Sequence, residues 1–150
     1  MNKILLFITA LVSLVFSSHS NRLLAHEQEQ HNVTQEPMHH EMLNIPDNQP
    51  IPTVDLIVHE DAKQGWNLEI KTTNFQFAPD KVNQKGALDE GHAHLYVNGE
   101  KVTRIYDNWY YLSELKPGMN EIKIKLNTNK HEILMYNQKP IEDVEIIEVK

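Results

Sequence analysis

From Thr53 to the C-terminus, apolar residues recur at every second position in short runs broken by turn residues, and that period commits the chain to β-structure. Val54, Leu56 and Val58 alternate with Asp55, Ile57 and His59. After a Lys-Gln-Gly break, Trp66, Leu68 and Ile70 alternate with Asn67, Glu69 and Lys71. Phe75 and Phe77 follow, and Pro79 stops them. Ala93, Leu95 and Val97 run into Asn98-Gly99, with Val102 to Ile105 beyond. Asn-Gly between two such runs predicts a hairpin, because both central turn residues tolerate positive φ. Trp109 to Leu112 forms a further run, and Pro117-Gly118 turns the chain into Ile122, Ile124 and Leu126. Ile133 to Tyr136 and Val144 to Val149 complete the pattern. Seven or eight strands at roughly 8–12-residue spacing, with no helical period between them, predict an all-β antiparallel sandwich of immunoglobulin-like or cupredoxin-like type over residues 53–150.

The first fifty residues follow other rules. Lys3 is a positive n-region, Ile4 to Phe16 is an uncharged apolar run, and Ser17 to Ser20 is a short polar region with small residues at Ser18 and Ser20. This is the pattern of a secretory signal peptide, and the apolar run is short for a membrane-spanning helix. Residues 1–20 are therefore assigned to the signal, with cleavage after Ser20 or, as the alternative, after Ala25. Residues 21–52 are rich in Gln, Glu, His and Asn, are punctuated by Pro37, Pro46, Pro50 and Pro52, and have no period. So little apolar surface does not offset the entropy of ordering, so the segment reads as a disordered arm. The mature chain is expected to be soluble, in a periplasm or outside the cell, without membrane insertion after cleavage.

Composition removes several classes of function. The formal charge is −7, and losing Lys3 with the signal makes it −8, an acidic balance with no basic stripe to attract nucleic acid. There is no cysteine, so thiolate chemistry, disulfides and the blue-copper electron-transfer site are excluded. Ser113 is the one serine after Thr53 and has no nucleophile elbow around it; no phosphate-cradling glycine loop is present. The chain reads as a binding protein and not as an enzyme.

The chemistry concentrates in Gly91 to Glu100, GHAHLYVNGE. In a strand His92, His94 and Tyr96 point one way and Ala93, Leu95 and Val97 the other, so the imidazoles lie on the face away from the core or at a sheet end. Side chains at i and i+2 stand about 6.5–7 Å apart, a spacing from which two rings can reach one ion at M–N distances of about 2 Å. His131, after an Asn-Thr-Asn turn, is the best third ligand; His59, Tyr111 and Met135 are further candidates, and Met119 a weaker one. Asp89 and Glu90, just before the pair, are candidates to orient an imidazole from outside the ligand set. The competing reading makes His92 and His94 structural, hydrogen-bonded to carbonyls and acids.

The arm carries a related signal. In PMHHEM, Met38 and Met42 flank His39 and His40, and soft thioethers with imidazoles suit copper. Were cleavage to follow Ala25, His26 would become an N-terminal amine–imidazole chelate for Cu(II). A polar linker in which these residues have no role is the alternative.

The stretches TTNFQFAPDKVN, EGHAHLYVNGEKVTRIYDNWYYL, LKPGMNEIKIKLNTNKHEI and KPIEDVEIIEV together resemble a family of small exported bacterial β-sandwich proteins of the copper-binding-like type. The resemblance covers residues 53–150, and Phe75, Phe77 and Pro79 look like an early cupredoxin strand. It carries over His92, His94, Trp109, Tyr110, Gly118, Asn127 and His131 and implies export and a sandwich. Tyr111 stands where a further histidine is expected, which puts a fourth imidazole in doubt. Together these features predict an exported protein that binds copper, or zinc in second place, to sequester or deliver it. The alternative is a metal-free exported module whose aromatic cluster, Trp109 to Tyr111, binds another protein or a cell-envelope component. Core packing is expected for Trp109 and one of the two tyrosines.

Overall fold

The structure, a computed structural model, describes residues 41–150 and contains no α-helix among them. Eleven strands follow in chain order: β1 Met42–Asn44, β2 Thr53–Glu60, β3 Trp66–Thr73, β4 Gln76–Phe77, β5 Glu90–Val97, β6 Glu100–Ile105, β7 Trp109–Leu112, β8 Gly118–Thr128, β9 Ile133–Tyr136, β10 Lys139–Pro140 and β11 Glu142–Val149. One 3₁₀ turn, Pro79–Lys81, lies between β4 and β5. The strands form two sheets in a sandwich-like arrangement, as the alternation predicts.

The smaller sheet is β2-β3-β7, antiparallel throughout. In the larger, β5 and β8 form the centre; β4 and β6 share the free side of β5, while β11 and β9 share that of β8. Two short pairs depart from a purely antiparallel sandwich, since β1–β9 and β4–β5 are parallel. The facing surfaces make the core: Leu56, Leu68 and Ile70 from one sheet meet Ala93, Leu95, Ile122, Ile124 and Leu126 from the other. A single side chain ties the sheet edges together, the Leu56 amide donating to Asp143 Oδ2 at 2.7 Å.

Three expectations are corrected. The folded body begins earlier than Thr53, because β1 pairs with β9 and Ile45 is fully buried in the core. Its three-residue strand is too short to announce itself by period, and Pro46 masks it. The count of strands is higher than seven or eight because two-residue strands such as β4 and β10 carry no period. Trp109 is not a core residue: it is 54% exposed, and Tyr110, its neighbour on the other face of β7, packs against the core instead.

The hairpin at Asn98-Gly99 forms as expected, both residues having positive φ (52° and 82°) and Val97 pairing with Glu100. It contains a β-bulge. From Ala93↔Ile105 to Leu95↔Thr103 the register is regular; it then shifts, so that Tyr96 faces Lys101 and Val102 is left over.

Candidate metal centre

On β5 the core-facing and outward-facing residues separate as the period requires, with Ala93 and Leu95 in the core and His92 and His94 on the opposite face. That face is not open: His92 and His94 both have 0% exposure. The cover comes from several elements. Tyr106, just past β6, lies over His92 with ring centroids 5.1 Å apart, and the β8–β9 hairpin brings His131 against it at 4.8 Å. Opposite them in register on β8 stand Asn127 and Lys125.

Close packing at this end depends on Gly91. A Cβ there would run into the backbone carbonyl of Asn127, so only glycine lets β5 approach β8 where His92 begins. The third histidine is placed by turn chemistry. Thr128 N–H donates to Glu132 O and His131 N–H to Thr128 O, both at 2.9 Å, which closes a three-residue hairpin loop. The last residue of such a loop takes left-handed φ and is ordinarily glycine. Here it is His131, with φ 71°. The Thr128 hydroxyl braces the loop by donating to Glu132 Oε2 at 2.7 Å.

Three ring nitrogens converge. His92 Nε2 lies 2.9 Å from His94 Nε2 and 3.1 Å from His131 Nδ1. All three ligand atoms fall within 4.8 Å of one another. At M–N distances of about 2.0–2.1 Å a tetrahedral site separates its donors by about 3.3 Å, so to take an ion the two close pairs part slightly and the wider pair, His94 and His131, draws together. The group can hold a metal ion.

Hydrogen bonds fix which lone pairs face inward. His131 Nε2 sits 2.9 Å from Asn83 Oδ1, an acceptor, so Nε2–H donates and Nδ1 is the basic nitrogen turned toward His92. Asn83 belongs to the connection between the 3₁₀ turn and β5, and its own amide donates to Asn129 O at 3.0 Å, which joins that connection to the hairpin. Lys101 Nζ, 3.1 Å from His94 Nε2, donates to it. With those two assignments His92 Nε2 is the nitrogen left to donate toward His94 and His131. Burial holds the Lys101 ammonium below the usual lysine range, and the Arg104 charge lowers it further. Burial raises the Tyr96 phenol, with Glu142 adding to the effect.

The remaining candidates fall elsewhere. His59 Nε2 pairs with Glu69 Oε2 at 2.9 Å and stacks on Trp109 on the smaller sheet. The Tyr111 hydroxyl donates to Gln64 O at 2.7 Å on that same sheet. Met135 is buried on β9 in register with Asn44 and Pro140, and Met42 is exposed on β1. Met119 is exposed on β8. Met38, His39 and His40 lie outside the described residues, as do the signal and both cleavage sites.

Asp89 and Glu90 do not orient the pair. Glu90 is bound to Lys81 and accepts the Ala87 amide, and the Lys81 ammonium holds its carboxyl below the usual range. Asp89 offers its backbone carbonyl to Gln76. The orienting groups that sequence reasoning missed are Asn83 and Lys101. A histidine at the glycine position of the hairpin loop is the signal that marks His131.

Fold and site together define a sandwich-like all-β protein with a three-histidine cluster, two of its members fully buried, that could hold a metal ion. The chain matches no protein-family model, no curated protein and no solved structure. Among the described residues no helix is long and apolar enough to cross a membrane.

Proposed function

We propose that this is an exported protein that binds a transition metal, copper first and zinc second, through His92, His94 and His131, and that it sequesters the ion or hands it on without being an enzyme. The observation that carries the reading is the meeting of three imidazole nitrogens from two separate elements at one buried point, with His131 turned by Asn83. Neutral imidazoles serve copper and zinc alike, and a donor set of three nitrogens with no carboxylate suits copper(I), which accepts low coordination numbers. The ion takes the place of the proton on His92 Nε2, His92 passing that proton to its other nitrogen or to solvent. Because imidazoles bind as neutral bases, acidification below about pH 6 releases the ion. Export rests on the signal pattern of residues 1–20, and the resemblance noted above supports export.

The exposed aromatic surface favours a second reading. Trp109 and Tyr111 are 54% and 51% exposed on the smaller sheet, beside His59, and offer a face for an exported protein or an envelope component.

Competition titration with Cu(I), Cu(II) and Zn(II) separates the two. It is run on the mature chain, on a form beginning at Glu41, just before β1, and on His131→Gly. Tight one-to-one binding that survives removal of the arm and is lost in His131→Gly is expected. Binding that disappears with the arm would move the chemistry to Met38–Met42, and binding no tighter than that of an unrelated histidine-bearing protein would leave the aromatic surface as the functional one.

A further inference from the structure

Among the described residues, Lys101 is the cation whose charged atom lies within hydrogen-bond reach of the cluster, and a β-bulge puts it there. Were β5 and β6 paired without the bulge, Tyr96 would face Val102 and Lys101 would face Val97, whose side chain packs against the core. The extra residue, Val102, is pushed out and 46% exposed, and Lys101 moves into register with Tyr96, on the histidine face. Its ammonium then lies 3.1 Å from His94 Nε2 and donates to the lone pair that a metal would use. Arg104, opposite His94 in register, shares that face and lowers the Lys101 ammonium, whereas the two lysines of β8 behave otherwise. Lys123 and Lys125 of β8 are each matched by a carboxylate, Glu121 and Glu142, both at 3.2 Å.

Resting on the metal reading above, we propose that Lys101 selects the charge of the ion: it makes the site a copper(I) site and disfavours zinc(II) and copper(II). The ammonium cannot keep its bond to His94 when an ion binds there, but its short distance from the cluster keeps it a near neighbour of the ion. Repulsion between fixed charges grows in proportion to the charge of the incoming ion. A dication therefore meets twice the penalty of a monocation, and in binding constants the effect on a dication is the square of that on a monocation. The ammonium also occupies the side from which a fourth ligand would approach, and zinc asks for a fourth ligand while copper(I) does not.

The test uses the full mature chain, with Cu(I) and Zn(II) titrated separately against competing chelators, for the wild type, Lys101→Met and Lys101→Arg. Lys101 is an exposed residue overall, and all three proteins are compared by thermal unfolding without metal. In Lys101→Met the Cu(I) affinity is expected to rise about 10-fold and the Zn(II) affinity about 100-fold, the square required by proportionality to charge. The preference for Cu(I) then falls about tenfold, and Lys101→Arg, which keeps the charge, retains the wild-type ratio. Equal gains for both ions in Lys101→Met would overturn the inference while leaving the metal site intact. A loss for both would make Lys101 a ligand and overturn it as well. If neither ion binds the wild type or Lys101→Met, the metal reading itself fails, and the selectivity falls with it.

Discussion

His131 offers a way to separate stability from binding, because the backbone it sits on would be better served by another residue. At φ 71° an ordinary L-residue is about 1–2 kcal/mol worse off than in its preferred regions, and glycine is not. His131→Gly removes that strain, against about 0.5–1 kcal/mol for the greater freedom of glycine in the unfolded chain. It also forfeits the hydrogen bonds to Asn83 and to His92, each worth about 1 kcal/mol net. The balance is a loss of about 1 kcal/mol, so the metal-free variant should lie within about 2 kcal/mol of the wild type, with its unfolding midpoint lower by several degrees. Its metal affinity should drop by about 100-fold or more, since it loses one of three donors and changing even an outer partner costs about 10–100-fold. The assay is urea denaturation of the metal-free proteins beside chelator competition. His92→Ala cannot make this separation, because emptying a fully buried site destabilises by about 2–4 kcal/mol on its own. A loss of more than about 2 kcal/mol in His131→Gly, with metal affinity unchanged, would show that the histidine is there to hold the hairpin and refute the reasoning.

Three further outcomes follow from the same geometry. Asn83→Ala should leave the fold intact and weaken metal binding about 10–100-fold, read by the same competition, because His131 loses the acceptor that turns Nδ1 inward. Gly91→Ala should abolish folded protein or cost several kcal/mol in denaturation, since its methyl group meets the Asn127 carbonyl and neither central strand can retreat. Asp61, in the turn between β2 and β3, is held below the usual carboxylate range by the Lys63 amide first, then by Asn67 and the Gln64 amide. A depressed carboxyl stabilises the fold above its unfolded pKa and loses that contribution as pH falls through its folded value. Wild type should therefore exceed Asp61→Asn in stability near pH 6, with the difference shrinking as pH falls below about 4 when both are denatured in urea across that range.

Much of the sandwich was legible because burial on one face writes itself into alternate positions, as at Leu56, Leu68, Leu95 and Ile124. The Asn98-Gly99 hairpin was legible because few residue pairs accept two positive φ angles. The site was legible only as residue types. His92 and His94 share a face by period, yet nothing local says whether that face is wet or covered, and the cover comes from Tyr106, Asn83 and the β8–β9 hairpin. His131 was within reach as a candidate, although its approach to β5 depends on pairing between strands distant in sequence. Asn83 and Lys101 could not be found, one because it lies in an irregular connection and the other because a bulge decides which side it faces. The acidic pair at Asp89 and Glu90 looked well placed by adjacency alone, and Lys81 takes Glu90 instead.

The complete burial of His92 and His94 has a consequence for time as well as affinity. An ion on an exposed site leaves by taking up water one ligand at a time. On the metal reading, one held between β5, Tyr106 and the β8–β9 hairpin would have two of its three ligands closed to water, and its departure would wait for the hairpin to lift half-buried His131 away. Release would then follow local opening of the hairpin more than the concentration of chelator outside. A recipient that engages the hairpin could shorten that wait, whereas one that only competes for free ion could not.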